Sequence, residues 1–329
     1  MAGVSAPHGT VSVIPDGRLV FGLQLPVQAL SVRTSMPWER EGAGPAEIVR
    51  VAQACDRAGF FYVAVCDHVA VPRGPAEMMS TTWYDPVSTL SYLAALTTSV
   101  RLMTNVYVAA YRHPLQTAKT FATLDALSGG RVVLGVGAGH LEGEFDVLGV
   151  SFAERGRRTN EAIDGIVAAW SDEWPVLDGP TWQASDVGQR PRPVQRPRPP
   201  IWIGGSGKPA LRRVAERGDG WIPQGTPRAQ MRDDIATILR LRDDARPGAV
   251  PEIGYITEHV YVGDPDWDLP KYTVSGPPER IAASFNELGA LGVSHLQLRF
   301  ATRSADELCD QIEAFGRDVG PHLEHAALT

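Results

Sequence analysis

PLQTAKTFATLDALSGGRVVLGVGAGHLEGEFDVLG, residues 114–149, is the stretch that decides the fold. Proline suits the first helical position, apolar residues then recur at about helical spacing, and Gly129 and Gly130 provide a helix stop. After Arg131, the run VVLGV has no polar residue, which is typical of a parallel strand covered by helices on both faces. The stretch therefore predicts one helix–strand unit of an α/β enzyme, with glycines at the end of the strand.

The same alternation of helix and strand patterns recurs along the whole chain. The eight apolar strand patterns cover residues 19–25, 60–66, 100–108, 131–136, 201–203, 219–222, 252–262 and 293–298. A doubly wound fold would need a GxGxxG turn after the first strand, and Leu25-Pro26 offers none. With 329 residues, the chain has the length of an α/β barrel. We predict a single (β/α)8 TIM barrel.

Three segments complete the predicted domain organisation. Residues 1–18 are polar and interrupted by glycine and proline, so we expect a flexible leader. The barrel domain covers residues 19–329, with an extended insertion at residues 171–200 before the fifth strand. Within it, RPRPVQRPRPP at residues 190–200 alternates proline with arginine, which indicates a solvated spacer with no packed structure.

Composition excludes several classes of function. A net charge of -7 and the lack of a basic stripe argue against nucleic-acid binding. No window of eighteen apolar residues predicts a membrane span, and the first residues do not resemble a signal peptide. Cys55, Cys66 and Cys309 are scattered without metal-ligand spacing. We therefore expect a cytoplasmic enzyme that acts on a small molecule and uses no metal.

In a barrel, the chemistry lies on the loops that follow the strands. Asp67 and His68 directly follow the second strand pattern, and Arg299 directly follows the eighth. His140 ends a glycine-rich loop at residues 137–140, and a second such loop covers residues 204–207. A structural role for His68 is about as plausible as a catalytic one, and for His140 it is the better reading. Spacing around Lys208 fails the GxxxxGK pattern, so we reject nucleoside triphosphate binding.

Four motifs resemble a known family. They are AGFFYVAVCDH at residues 58–68, YRHPLQTAKTFATLDALSGGRVVLGVGAGH at residues 111–140, PRPPIWIGGSG at residues 197–207 and RRVAERGDGW at residues 212–221. By these motifs the chain resembles the bacterial luciferase-like monooxygenase superfamily, and within it the branch that uses the deazaflavin coenzyme F420. The likeness extends over nearly all of residues 19–315.

The resemblance implies a role for each matching residue. His68 would be the catalytic acid or base, and a non-prolyl cis peptide between Asn105 and Val106 would support the deazaflavin ring. Residues implied to contact the cofactor are Asp67, Asn105, Val106, Ala138, Gly139, His140, Gly205, Ser206 and Gly207, the last three around its phosphate. Related sugar-phosphate dehydrogenases carry a carboxylate where this chain has His140, which argues against a sugar-phosphate substrate.

Three functions remain open from the sequence. The first is hydride transfer between coenzyme F420 and a small organic substrate. The second is an FMN-dependent monooxygenase served by a separate flavin reductase, and the third is a non-catalytic flavin-binding relative, against which His68 and the glycine loops weigh. By analogy with the family we expect a homodimer. Trp38, Trp83 and Trp221 are candidate walls of a substrate pocket, although each could equally belong to the core.

Overall fold

The computed structural model describes residues 10–32, 34–326 and 328. Parallel strands alternate with helices along the chain in the order of a (β/α)8 barrel, which confirms the predicted fold class. The strands are β1 (Val20–Gln24), β2 (Tyr62–Val65), β3 (Arg101–Thr104), β4 (Tyr107–Val108), β5 (Val132–Gly137), β6 (Leu177–Asp178), β7 (Gln183–Ala184), β8 (Ile201–Gly204), β9 (Gly220–Ile222), β10 (Glu252–Val262), β11 (Val274–Gly276) and β12 (His295–Phe300).

Helices fill the intervals between the strands. They are α1 (Pro37–Arg40), α2 (Pro45–Arg57), α3 (Arg73–Met79), α4 (Pro86–Ala94), α5 (Pro114–Ser128), α6 (Glu142–Val147), α7 (Arg155–Ser171), α8 (Lys208–Arg217), α9 (Arg228–Ala245), α10 (Pro278–Gly289) and α11 (Ala305–Ala314). Two compact units can be distinguished. We call Val106–Glu252, with the described residues up to Val13, the central unit, and Ile14–Asn105 with Ile253–Thr329 the terminal unit.

In the terminal unit, parallel strands follow the order β3-β2-β1-β12-β10-β11. Its helices bury apolar faces, such as that formed by Ile48, Val51 and Cys55 of α2. The last helix is capped, because the Ser304 hydroxyl accepts a hydrogen bond from the Glu307 N–H. These contacts hold the helices against the outside of the sheet.

The central unit pairs β4, β5, β8 and β9 in parallel. Helix α5 begins at Pro114 and ends where Gly129 adopts a left-handed conformation with φ of 70°, as its sequence predicts. The predicted third strand, residues 100–108, is divided into β3 and β4 by Asn105 and Val106. This break places two residues of irregular backbone at the carboxyl end of β3.

Two expectations about segments of the central unit, the spacer and the leader, need correction. The spacer prediction for residues 190–200 is wrong at its end, because Arg198 is buried and pairs with Asp219 at 2.5 Å. Nearby, the Asp125 carboxylate accepts hydrogen bonds from Gln195. In the predicted leader, residues 1–9 lie outside the described residues, but Val11 is buried and its N–H donates to Asp219 at 3.0 Å. A buried carboxylate attracts these donors because it must replace its lost hydration.

Candidate active site

Asp67 and His68 lie directly after β2 in the terminal unit, as the sequence predicts. Asp67 is buried, whereas His68 is half-buried. The His68 ring meets the Trp83 ring at a centroid distance of 4.4 Å and an interplanar angle of 64°. Trp83 is itself fixed, because its indole N–H donates to the Ser80 carbonyl at 3.2 Å. The edge-on contact with Trp83 therefore restrains the orientation of the His68 imidazole.

Cys66 precedes this pair and is held by Gln28. The Cys66 N–H donates to Gln28 Oε1 at 3.0 Å, and the Gln28 amide lies 3.8 Å from the Cys66 sulfur. Burial raises the pKa of the Cys66 thiol to about 12, with Asp67 adding to the effect. The thiol is therefore protonated at neutral pH, which does not suit a nucleophile.

An amide cluster lies in the terminal unit at Asn105. The Asn105 side-chain amide donates to Gln297 Oε1 at 2.7 Å and to Gln24 Oε1 at 3.4 Å, and Gln297 Nε2 donates to Gln24 Oε1 at 3.3 Å. Asn105 is among the residues predicted from the sequence, whereas the two glutamines were missed. Their signal was a single glutamine within each otherwise mostly apolar strand, in LVFGLQL and HLQLRF.

The implied cis peptide between Asn105 and Val106 is not observed. Among the described residues, cis peptide bonds occur at Arg190-Pro191 and Arg196-Pro197. A non-prolyl cis bond costs about 3 kcal/mol, so a trans bond is the ordinary state at this position. The backbone N–H of Asn105 donates to the Val65 carbonyl at 2.8 Å, which extends the pairing of β3 with β2 by one residue.

A cavity that is open to solvent lies in the terminal unit at the carboxyl ends of β1 and β12. Trp38 lines it, and its indole N–H donates to Thr302 Oγ1 at 3.2 Å. Arg299 and His259 supply the basic groups of its wall. Arg299 was predicted from the sequence as a strand-end residue, whereas His259 was missed, because the long β10 strand gives no sign of which residues face a cavity.

In the central unit, the side chain of Val106 leaves no room for a larger residue at two of the glycines, Gly137 and Gly204. A Cβ atom on Gly137 would lie 2.2 Å from a Val106 methyl group, and one on Gly204 would lie 2.4 Å from the other. Gly139 has φ of 80° and a Cβ there would lie 2.7 Å from the Phe145 ring. Packing within the protein is thus sufficient to require glycine at all three positions. In the same loop as Gly139, Ala138 is half-buried and His140 is exposed.

The loop Gly205-Ser206-Gly207 connects β8 to the first residue of α8. Gly205 has φ of 109°, a backbone conformation that favours glycine, and its carbonyl accepts the indole N–H of Trp221 at 2.7 Å. Trp221 is completely buried. It therefore supports the loop, and we no longer assign it to the wall of a substrate pocket.

The Ser206 hydroxyl is fully used within the central unit. It accepts hydrogen bonds from Gln224 N at 2.9 Å and Thr226 Oγ1 at 2.6 Å, and it donates to the Gln224 carbonyl at 3.1 Å. Its donor and both its acceptor positions are then occupied. The space around Gly207 is open, because a Cβ atom there would meet nothing closer than Pro209 at 3.7 Å. What the loop offers to a ligand is its backbone.

Comparison with known proteins identifies the family. The family model described as luciferase-like monooxygenase matches residues 28–273. The chain belongs to this family. The FMNH(2)-dependent dimethylsulfone monooxygenase of Pseudomonas putida is 29% identical over 324 residues, covering 83% of this chain and 86% of that protein. Members of the luciferase-like monooxygenase family are oxidoreductases and monooxygenases, so this chain is placed in that enzyme class.

Two solved structures show the same fold as this luciferase-like chain. The monooxygenase RslO1 from Streptomyces bottropensis superposes with a TM-score of 0.77 at 22% identity, covering 92% of this chain and 99% of that one. An F420-dependent secondary alcohol dehydrogenase, solved with an F420-acetone adduct, gives 0.73 at 18% identity, with 93% and 99% covered. The fold is therefore shared by a monooxygenase and by an F420-dependent dehydrogenase.

Within residues 10–32, 34–326 and 328, no group of three or more His, Cys, Asp or Glu side chains is arranged to hold a metal ion. Over the same residues, no helix is both long enough and apolar enough to cross a membrane.

Proposed function

We propose that this protein transfers a hydride between coenzyme F420 and a small organic substrate, with His68 as the acid or base. The observation that carries the proposal is the Asp67-His68 pair at the carboxyl end of β2, with the imidazole half-buried and held against Trp83. The similarity to the F420-dependent secondary alcohol dehydrogenase supports it. Barrel enzymes carry their catalytic groups at this end of the strands.

The residues of the central unit fit the phosphate end of such a cofactor. Gly205 and Gly207 leave the backbone open, and α8, ten residues long, begins directly after Gly207. The N-terminus of a helix favours an anion because its first N–H groups have no partner within the helix. Because Ser206 is occupied by Gln224 and Thr226, we propose that backbone N–H groups and not its hydroxyl hold the phosphate.

When bound, the deazaflavin would supply the hydride acceptor or donor, and the protein would supply orientation and a proton. The His68 imidazole can take the proton of a substrate hydroxyl or return it, which is the usual acid–base role of histidine in catalysis. Trp83 restricts the ring to one orientation, which lowers the entropy lost when the substrate is positioned. Asn105 and Val106 would support the ring of the cofactor, and Ala138, Gly139 and His140 would lie beside it.

An FMN-dependent monooxygenase is the second candidate. The observation that favours it is the similarity to the FMNH(2)-dependent dimethylsulfone monooxygenase over 83% of this chain. In that case a separate reductase would supply reduced flavin, and product formation would consume oxygen. The glycine loop fits either cofactor, because both carry a phosphate on the side chain of the ring system.

A fluorescence-quenching titration of the purified protein with coenzyme F420, and in parallel with FMN, decides between the candidates. Tight binding of the deazaflavin alone is the expected result. Preference for FMN together with oxygen consumption coupled to product would replace the first candidate by the second. Binding of neither cofactor would contradict both.

The His68→Ala variant tests the role of the imidazole. We expect turnover to fall by about 100-fold or more, the size of a general acid–base contribution, while the affinity for F420 stays within about twofold. His322→Ala, at an exposed position near the C-terminus, is the matched control and should retain full turnover. Lost cofactor binding with normal turnover per bound cofactor would show that His68 is a binding residue instead.

A further inference from the structure

Two basic side chains face each other in the wall of the terminal-unit cavity. His259 on β10 is the register partner of Arg299 on β12, and both residues are partly buried and line the cavity. The Arg299 backbone N–H donates to Thr257 Oγ1 at 3.3 Å. Within the described part of the chain, no hydrogen bond or ion pair involves the Arg299 guanidinium or the His259 imidazole.

The acidic groups nearby are already engaged. Glu39 lines the same cavity, but its carboxylate accepts hydrogen bonds from the N–H groups of Val27 at 2.9 Å and Met36 at 2.7 Å. Glu258, the neighbour of His259 in sequence, accepts a hydrogen bond from the Tyr255 hydroxyl at 3.3 Å. The partly buried guanidinium therefore lacks the carboxylate that a buried arginine ordinarily has.

We propose that this cavity binds the carboxylate group of an organic-acid substrate, with Arg299 as its ion-pairing residue and His259 as a second hydrogen-bond donor. The inference rests on the proposed function, since it names the substrate class of that oxidoreductase. The planar guanidinium can hold both oxygens of a carboxylate at once. The organic part of the substrate would contact the apolar side chains of the wall, among them Met36, Trp38 and Phe300.

The charge of the wall favours a carboxylate over a phosphate. Burial lowers the pKa of His259, and the positive charge of Arg299 lowers it further. Burial also lowers the pKa of Arg299, but arginine remains charged at any physiological pH. At neutral pH the pair therefore carries about one positive charge, which matches a monoanion and not a dianion.

Calorimetric titration of the full-length protein with benzoate, and with benzamide as its neutral isostere, tests the inference. The titration is run on the cofactor-free protein and repeated with saturating F420. We expect benzoate to bind at least about tenfold more tightly than benzamide. Arg299→Met should weaken benzoate binding by about 30-fold or more, because the carboxylate would lose its charged partner, and should leave benzamide unaffected.

Two further variants make the test specific. Arg299→Lys keeps the charge but lacks the paired N–H donors of the guanidinium, so its benzoate affinity should lie between those of the wild type and Arg299→Met. Arg40→Met removes one positive charge from an exposed position close in sequence to Trp38, and it should bind benzoate as the wild type does. Circular dichroism of each variant establishes that it is folded.

The outcomes separate this inference from the proposed function. Equal benzoate affinity in the wild type and a folded Arg299→Met protein would overturn the carboxylate site, even if F420 binds and turnover is observed. Equal binding of benzoate and benzamide by the wild type would overturn it as well. If the wild type binds benzoate through Arg299 but binds neither F420 nor FMN, the carboxylate site stands and the proposed function fails.

Discussion

One arginine of each unit, buried or partly buried, has surroundings opposite to those of the other. Arg198 in the central unit donates to both oxygens of Asp219, at 2.5 and 3.0 Å. Arg299 in the terminal unit lines a cavity, and no carboxylate of the described residues pairs with it. Asp219 directly precedes β9, at the amino end of that strand, whereas Arg299 lies near the carboxyl end of β12.

The difference agrees with the general roles of the two ends of the strands in α/β barrels. Residues at the amino ends of the strands stabilise the fold, whereas residues at the carboxyl ends serve ligands. A buried polar group that stabilises the fold finds its hydrogen-bond partners within the protein, as Asp219 does in Arg198, Val11 and Ile201. A polar group left unsatisfied lowers stability, and its retention is explained by a partner that arrives from outside.

Breaking the buried ion pair between Arg198 and Asp219 should have the largest effect on stability. Asp219→Asn would leave Arg198 buried without a counter-charge and would weaken the hydrogen bonds from Val11 and Ile201. We expect the free energy of unfolding to fall by about 3 kcal/mol or more, measured by urea denaturation. Asp306→Asn, which removes an exposed partner of Arg50, should cost less than about 1 kcal/mol. Equal losses in the two variants would contradict the assigned role of Asp219.

The sequence was sufficient to predict the fold, because unbroken apolar strand runs and helix stops such as Gly129-Gly130 are local signals. It also placed His68 correctly at the end of β2. It failed at Arg198, since nothing in a proline–arginine repeat shows that a carboxylate twenty-one residues later will be buried beside it. His259 was missed for the same reason: its pairing with Arg299 depends on the register of two strands.

Removing the charge of Arg299, which has no carboxylate partner among the described residues, should raise stability instead of lowering it. Arg299→Met replaces a partly buried cation without a carboxylate partner by an apolar side chain of similar length. We expect the free energy of unfolding to rise by about 1 kcal/mol in the same urea experiment, while benzoate binding is weakened. A destabilised variant would mean that Arg299 serves the fold, as Arg198 does, and the contrast between the two regions would disappear.

The smallest expected effect is a pH dependence at His259. Burial and Arg299 lower the pKa of this imidazole below the ordinary 6.5, so the unfolded chain takes up the proton at a higher pH than the folded protein does. His259 therefore lowers the free energy of unfolding progressively as the pH falls below 6.5, and it has no such effect well above that value.

His113 and His325 also have lowered pKa values, so the contribution of His259 must be isolated by difference. The wild type and His259→Gln are unfolded in urea between pH 5 and 8, and the difference between their unfolding free energies is plotted against pH. The wild type should lose stability relative to the variant only on the acidic side. Arg299 faces His259 from β12, whereas Glu39 and Glu258 are held by their own hydrogen bonds. The change of this free-energy difference with pH should therefore be smaller when both proteins also carry Arg299→Met. An unchanged slope in that background would show that burial alone perturbs His259 and that the two groups do not form one site.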